Sequence, residues 1–360
     1  MTRPYRVVQW ATGNVGTRAL RAIVEHPRLA LVGVYVYSDA KAGRDAGELC
    51  GLAPVGVKAT RSVDEMVASR PDCVLYMPQR IDVDDLCRLL AAGINVVTTR
   101  TEFHFAKAMD TALRERIERA CRQGGSSIHS TGSSPGFVTE ALPLTLLSIQ
   151  RRLDHLRIAE YADCSSRNSP ELLFQIMGFG QAPNARAEAG RVHHLRGAFG
   201  PSMQMLAEAV GLSFDDVQAR GETALTREAV TIAAGRIEAG TVGAMRTSVH
   251  GMRNGRPLIS FTAYWYVTDK LDQAWDLRGD GWRVEIDGDA PLDLSLRFTV
   301  APEHKAATTP GYTAHRAINA VPYVCAASPG IVSSADLPQI IADLGAVTAW
   351  QQVLRRPRGQ

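Results

Sequence analysis

Long hydrophobic runs are missing from this chain. No apolar stretch approaches the roughly 18 residues that a membrane span requires, so no membrane partner is expected. Neither sign of charge is in excess: 40 Lys and Arg stand against 37 Asp and Glu, a formal net charge of +3. The one basic run, Arg355-Arg356-Pro357-Arg358, reads as a solvated tail, which excludes nucleic acid as the main partner. Cysteine is sparse. Cys50, Cys73, Cys87, Cys121, Cys164 and Cys325 form no Cys-x-x-Cys pair and read as reduced thiols of a cytosolic protein. No two Cys or His groups stand at ligand spacing, and the adjacent His193 and His194 point different ways on any regular element, so no metal is expected. The opening Met1-Thr2-Arg3-Pro4-Tyr5-Arg6 has no leader pattern, and a cytoplasmic location is expected. Internal repeats and low-complexity linkers are also missing.

What is present is globular: 45% hydrophobic and 21% charged residues over 360 positions, a length that suits two domains. Up to about residue 136, short Val- and Ile-rich runs (6–10, 30–37, 73–77, 95–99, 127–130) alternate with helical patterns (15–26, 62–69, 82–92, 108–123). Alternation of this kind predicts an α/β fold with a doubly wound parallel sheet, a Rossmann domain over residues 1–136. Residues 137–313 then predict an α+β domain for substrate binding and oligomerisation. Its helices are expected at 137–149, 170–177 and 202–210. Its mostly antiparallel strands are expected at 156–162, 228–238, 241–252, 256–266, 283–286 and 292–300, with Asn254-Gly255 as a hairpin turn. Closing helices near 314–327 and 337–354 are expected to return to the first domain.

The first strand runs into Ala11-Thr12-Gly13-Asn14-Val15-Gly16 and a helix, the dinucleotide fingerprint with Ala for its first glycine. Gly13 lets backbone approach a pyrophosphate, Gly16 lets helix and strand pack closely, and the helix N-terminus offers N–H groups to phosphate. The second strand ends at Ser38, with Lys41 and Arg44 following, a set that suits the 2′-phosphate of NADP; Asp39 leaves NAD possible.

In an open parallel sheet, ligands lie beyond the carboxyl ends of the strands. Glu102 stands just past such an end in Thr99-Arg100-Thr101-Glu102-Phe103-His104, flanked by aromatics that would desolvate it. It is either a catalytic carboxylate or a cap of the next helix. Pro78, Thr99, Arg100 and Thr101 are candidate cofactor contacts. So are Gly132 and Ser134, in Gly132-Ser133-Ser134-Pro135-Gly136-Phe137, a natural hinge.

These segments, together with Val34-Tyr35-Val36-Tyr37-Ser38 and Gly43-Arg44-Asp45-Ala46-Gly47-Glu48-Leu49, carry a resemblance that covers essentially the whole chain. It resembles the dihydrodipicolinate-reductase-like superfamily, in its 2,4-diaminopentanoate dehydrogenase and native amine dehydrogenase branch. The resemblance implies reversible oxidative deamination of an amine with NAD(P)+, or reductive amination of a small ketone or aldehyde with ammonia. It also implies that the glutamate at 102 handles the ammonia proton and stabilises the iminium. Two departures stand out. The His-His-x-x-Lys motif of true dihydrodipicolinate reductases is replaced by Glu160-Tyr161-Ala162-Asp163-Cys164-Ser165-Ser166-Arg167-Asn168-Ser169. Ser134 stands where relatives have Asn. Pocket candidates are Tyr161, Cys164, Asn168, Phe174, Met177 and His194, and a homodimer is expected. Alternatives are another NAD(P)H-dependent imine or carbonyl reductase, and a non-catalytic NADP-binding protein.

Overall fold

Along β1 (Tyr5–Trp10) successive side chains enter different cores, Val7 on one side, Val8 and Trp10 on the other. The same division recurs in β4 (Cys73–Tyr76), where Cys73 and Leu75 part from Val74 and Tyr76, and in β5 (Asn95–Thr98), where Val97 parts from Val96. A strand buried on both faces has no polar side to alternate with, which is why these runs read as continuous hydrocarbon. The computed structural model describes residues 3–344. It divides the chain into two units, one reaching residue 137 and resuming at 309, the other spanning 138–308.

In the first unit the sheet is parallel throughout. With β2 (Leu29–Tyr35), β3 (Ala59–Thr60), β6 (Ser127–Ser130) and β15 (Gly330–Val332) its order is β15-β6-β5-β4-β1-β2-β3. One face packs on α1 (Asn14–Glu25) and α8 (Pro302–Cys325) through Ala19, Ile23, Ala314, Ile318 and Val321. The other packs on α4 (Val83–Ala91) and α5 (Thr111–Gly124) through Leu86, Leu90 and Ile117. Local signals set the helix ends: Asp82 accepts from Asp84 N and Asp85 N, Asp110 accepts from Leu113 N, and Gly125 closes α5 in the left-handed region.

The second unit has a six-stranded sheet in the order β14-β13-β7-β12-β11-β8. Its strands are β7 (Leu153–Asp163), β8 (Asp216–Leu225), β11 (Val242–Arg253), β12 (Arg256–Tyr266), β13 (Gly281–Gly288) and β14 (Leu292–Arg297). All its pairs are antiparallel except β7 with β12. Leu156, Ile158, Phe261 and Val284 face α7 (Ala185–Ala209), where Phe199 stacks on Phe261 at 3.7 Å. Asn254 and Gly255, at φ 52° and 73°, make the expected two-residue hairpin between β11 and β12.

Several expectations are corrected. The run 228–238 is not one strand: it folds into β9 (Val230–Ile232) and β10 (Gly235–Ile237) about Ala233 and Ala234, with Gly235 at φ 141°. Strand β8 was not expected because Ala219, Gly221 and Thr223 dilute its alternation. α7 begins at Ala185 and not near 202, its first half carrying mostly exposed residues that give little apolar period. α8 begins at Pro302. Residues 337–344 form no helix, and 345–354 of that expected helix lie outside the described residues, as does the basic tail.

Candidate functional site

In the first unit, strand order reverses between β1 and β4, the place where an open parallel sheet leaves a crevice at its carboxyl edge. Ala11 follows β1 at φ 71°, a left-handed backbone where the fingerprint has glycine, fixed by its N–H to Tyr35 O at 2.9 Å. A Cβ on Gly16 would stand 2.1 Å from Ala11 O, so close packing of α1 on β1 demands glycine there. A Cβ on Gly13 would meet nothing within 4 Å. Gly13 opens α1, Asn14 and Val15 form its first turn, and no acidic residue stands in that turn. Open space over a bare helix N-terminus fits a pyrophosphate.

Beyond β2, Ser38 accepts the backbone N–H groups of Lys41 and Ala42 through its own carbonyl. This turn sends Lys41 back to the fingerprint: its Nζ donates to Thr12 O at 2.8 Å and to Thr12 Oγ1 at 3.2 Å. A cation therefore sits against the phosphate turn itself. Arg44 is exposed and only loosely paired, 3.8 Å from Glu48. Asp39 pairs with Arg61. Asp45 is structural: it accepts from Gly47 N, Val55 N and Gly56 N, and the Val55 bond above all holds its carboxyl below the usual range. Tyr37, not singled out in the sequence, is half exposed at the same strand end and accepts from Trp10 Nε1 at 3.1 Å.

Past β5 the backbone of Arg100 is held at both ends: its N–H donates to Thr98 Oγ1 at 3.1 Å and its carbonyl accepts from Ser130 Oγ at 2.5 Å. The guanidinium then grips Glu102, Nε to Oε2 at 3.2 Å and Nη2 to Oε1 at 2.5 Å, while Nη1 donates to Gln79 O at 2.6 Å. This corrects two expectations about Glu102. Glu102 has a bidentate charge partner where aromatic neighbours were expected, for Phe103 is wholly buried in the core and His104 is buried beside it. Arg100 faces that carboxylate. Glu102 does not cap the next helix either, since Asp110 does. Thr99 and Thr101 flank the pair, both partly exposed, and Pro78 is buried at the end of β4.

After β6, Thr131 N donates to Thr98 O and Phe137 N to Gly132 O, closing the Gly132–Gly136 loop on itself. Ser133 binds Thr313 of α8, Oγ to Oγ1 at 2.8 Å. The loop leaves two buried hydroxyls, Thr131 Oγ1 and Ser134 Oγ, without a hydrogen-bond partner among the described residues. Buried hydroxyls normally find partners, so this pair suits a polar ligand group such as a carboxamide. Thr131 carried no sequence signal beyond its neighbours.

The second unit contains a cavity of about 600 Å³. Period two along β7 decides its sheet wall: Glu160, Ala162 and then Cys164 point in. Helix spacing decides another, with Ala187, Arg191, His194 and Leu195 on one face of α7. Met177 and Trp265 also line it. Of the pocket candidates, Cys164, Met177 and His194 meet here. Burial pushes the Cys164 thiol up to about 11. Tyr161 does not line it; one residue from Glu160, it faces the opposite side of the sheet and stacks on Tyr264 at 4.9 Å. Phe174 instead packs beside Leu173 and Phe179, and Asn168 is exposed; neither lines the cavity.

Residues 137–353 match the family of the 2,4-diaminopentanoate dehydrogenase C-terminal domain, and residues 7–123 match the dihydrodipicolinate reductase N-terminus. The chain is similar to the amine dehydrogenase of Streptomyces virginiae, 29% identical over 92% of this chain and 95% of that protein. It is also similar to the 4-hydroxy-tetrahydrodipicolinate reductase of Synechococcus elongatus, 25% identical over 54% of this chain and 74% of that one. Among solved structures, the amine dehydrogenase from Mycobacterium smegmatis shares the fold at a TM-score of 0.74 and 20% identity, over 94% of this chain and 97% of that chain.

Proposed function

The chain belongs to the family of the 2,4-diaminopentanoate dehydrogenase C-terminal domain and is an NAD(P)-dependent oxidoreductase acting on CH–NH2 groups, an amine dehydrogenase; we propose that its reaction is the reversible reductive amination of a small ketone or aldehyde with ammonia, with Glu102 as the catalytic carboxylate. The observation that carries this reading is the Arg100–Glu102 pair at the carboxyl end of β5, a carboxylate fixed in place where an open parallel sheet receives its ligand.

The fingerprint residues Ala11 to Gly16 would hold the pyrophosphate, and Thr131 with Ser134 would receive the carboxamide of the nicotinamide. Ser38, Lys41 and Arg44 favour the 2′-phosphate, so the cofactor is read as NADP with NAD accepted. The reduced cofactor, when bound, supplies a hydride. Glu102 takes a proton from ammonium and so frees the lone pair of ammonia to attack the carbonyl carbon. The carbinolamine loses water, the departing hydroxyl taking that proton back. The carboxylate then faces a cationic iminium, which it stabilises. Arg100 occupies one lone pair on each oxygen of Glu102 and leaves the others for the substrate.

The long strands of the second unit, up to twelve residues in β11, support a homodimer. Among the described residues no helix is long and apolar enough to cross a membrane, and the protein is read as cytoplasmic.

Glu102→Gln tests the mechanism. The variant is expected to fold and bind NADPH as the parent does, and to lose at least about 100-fold in amination rate. Amination at the parental rate would end the catalytic role of Glu102, whereas loss of NADPH binding would make it a cofactor contact. Carbonyl reduction that proceeds equally well without ammonium would point to a simple reductase.

A further inference from the structure

The loop after β6 is held from three directions. The sheet holds its start, where Thr131 N donates to Thr98 O at 2.9 Å, and the loop closes on itself where Phe137 N donates to Gly132 O at 2.8 Å. The third hold comes from α8. Thr313 Oγ1 accepts from Ser133 N at 3.3 Å and shares a hydrogen bond with Ser133 Oγ at 2.8 Å. The approach is close: a Cβ on Gly132 would stand 3.2 Å from Thr313 Cγ2 and 3.1 Å from Pro135 O, so a side chain at 132 would push the loop off the helix. Thr313 is partly buried and directly precedes Ala314, one of the residues that seat α8 on the first sheet. A β-branched side chain on a helix has few χ1 states, so the packing of α8 also decides where this hydroxyl stands.

Ser133 lies between the two buried hydroxyls that lack a partner among the described residues, Thr131 Oγ1 and Ser134 Oγ. We propose that Thr313 is a positioning residue for the nicotinamide: from α8 it fixes the Ser133 peptide, and through it the places of Thr131 and Ser134. The inference rests on the reading of these hydroxyls as the seat of the carboxamide. Thr313 itself takes no part in proton or hydride transfer. Its contribution is pre-organisation, since a loop already fixed loses little freedom when the ligand arrives.

The test compares NADPH with 2′-phospho-ADP-ribose, in which a hydroxyl replaces the nicotinamide ring. Dissociation constants of both are measured by calorimetry for the parent, Thr313→Val, Thr313→Ser and Ser133→Ala, and thermal unfolding without ligand checks each fold. Valine keeps the branched shape and removes the hydroxyl. Thr313→Val is expected to weaken NADPH at least about 5-fold, the worth of an ordinary hydrogen bond, and to leave 2′-phospho-ADP-ribose unchanged. Thr313→Ser should bind both as the parent does. Ser133→Ala should show a smaller loss for NADPH alone, and it carries the comparison if Thr313→Val does not fold. Equal weakening of both ligands overturns the proposal, because a disturbed α8 has no means of singling out the nicotinamide. Unchanged NADPH binding overturns it too. Thr131→Val and Ser134→Ala, measured in parallel, test the reading beneath it. If they weaken NADPH selectively and Thr313→Val does not, the carboxamide seat stands and the role of Thr313 falls. If Thr313→Val alone is selective, Thr313 keeps its role and the two hydroxyls lose theirs. A parent that binds neither ligand overturns both.

Discussion

A methyl group at Gly16 would collide with the Ala11 carbonyl at 2.1 Å, while one at Gly13 would point into open space. The two glycines of one fingerprint therefore separate by experiment. Gly16→Ala is expected to destabilise the cofactor-free protein by about 1–3 kcal/mol, the usual range for forced overpacking. Gly13→Ala is expected to leave thermal unfolding unchanged and to weaken binding of the reduced cofactor, because only the ligand needs that space. Lys41 and Arg44 separate in the same way. Lys41 braces Thr12, so Lys41→Met should weaken NADH and NADPH together, NADPH the more. Among the described residues the Arg44 side chain pairs with Glu48 alone, so Arg44→Ala should weaken NADPH alone. Fluorescence titration of both cofactors reads the difference, and an equal loss for NADH in Arg44→Ala would remove it from the 2′-phosphate. The sequence carried these positions because a phosphate turn must use glycine and backbone in one order. It did not carry the grip of Arg100 on Glu102, because two residues apart on a chain says nothing about whether side chains meet; a turn at Thr101–Phe103 brings them round.

Between β13 and β14 the chain turns through Asp289, whose Oδ1 accepts from Arg151 N at 3.0 Å and Arg152 N at 2.9 Å, and whose Oδ2 accepts from Arg151 Nε at 3.1 Å. One carboxylate thus ties the start of β7 to the far end of its neighbour. The backbone bonds of Arg152 and then Arg151 pull its pKa down to about 2. Since the folded value lies below the unfolded one of roughly 3.9, the tie stabilises the protein above about pH 5 and is lost as pH falls toward the folded value. Asp289→Asn should accordingly lower the unfolding temperature at pH 7, and the gap from the parent should close on acidification. A gap independent of pH would show that the charge contributes nothing. Elements with a clean period were readable: β1, β4, β5 and the Asn254-Gly255 hairpin stand where alternation and turn chemistry put them. Those built from small or polar residues were not. β8 presents Ala and Gly to its neighbours, and the three-residue β15 is recognisable only from its partner β6 and the contact of His129 Nδ1 with Val332 O at 2.9 Å.

For the whole molecule, rhythm decided more than any single residue. Alternating strands and helices give way near residue 137 to consecutive long strands, and the division into units follows that change. The return of the chain to the first unit was readable only in part, because a helix such as α8, holding Pro310 and Pro322, shows little apolar period. That return has a consequence in time. Ala314, Ile318 and Val321 of α8 cover one face of the first sheet, and β15 completes its edge. Both are translated some two hundred residues after β6. At a rate of about 5–20 residues per second, the nascent sheet waits roughly 10–40 s with the part of that face that α8 covers still open. The second unit, continuous from 138 to 308, has no such wait. During synthesis the later half of this protein is thus equipped to finish folding first, and the interval before α8 arrives is when a chaperone that shields apolar surface has most to protect.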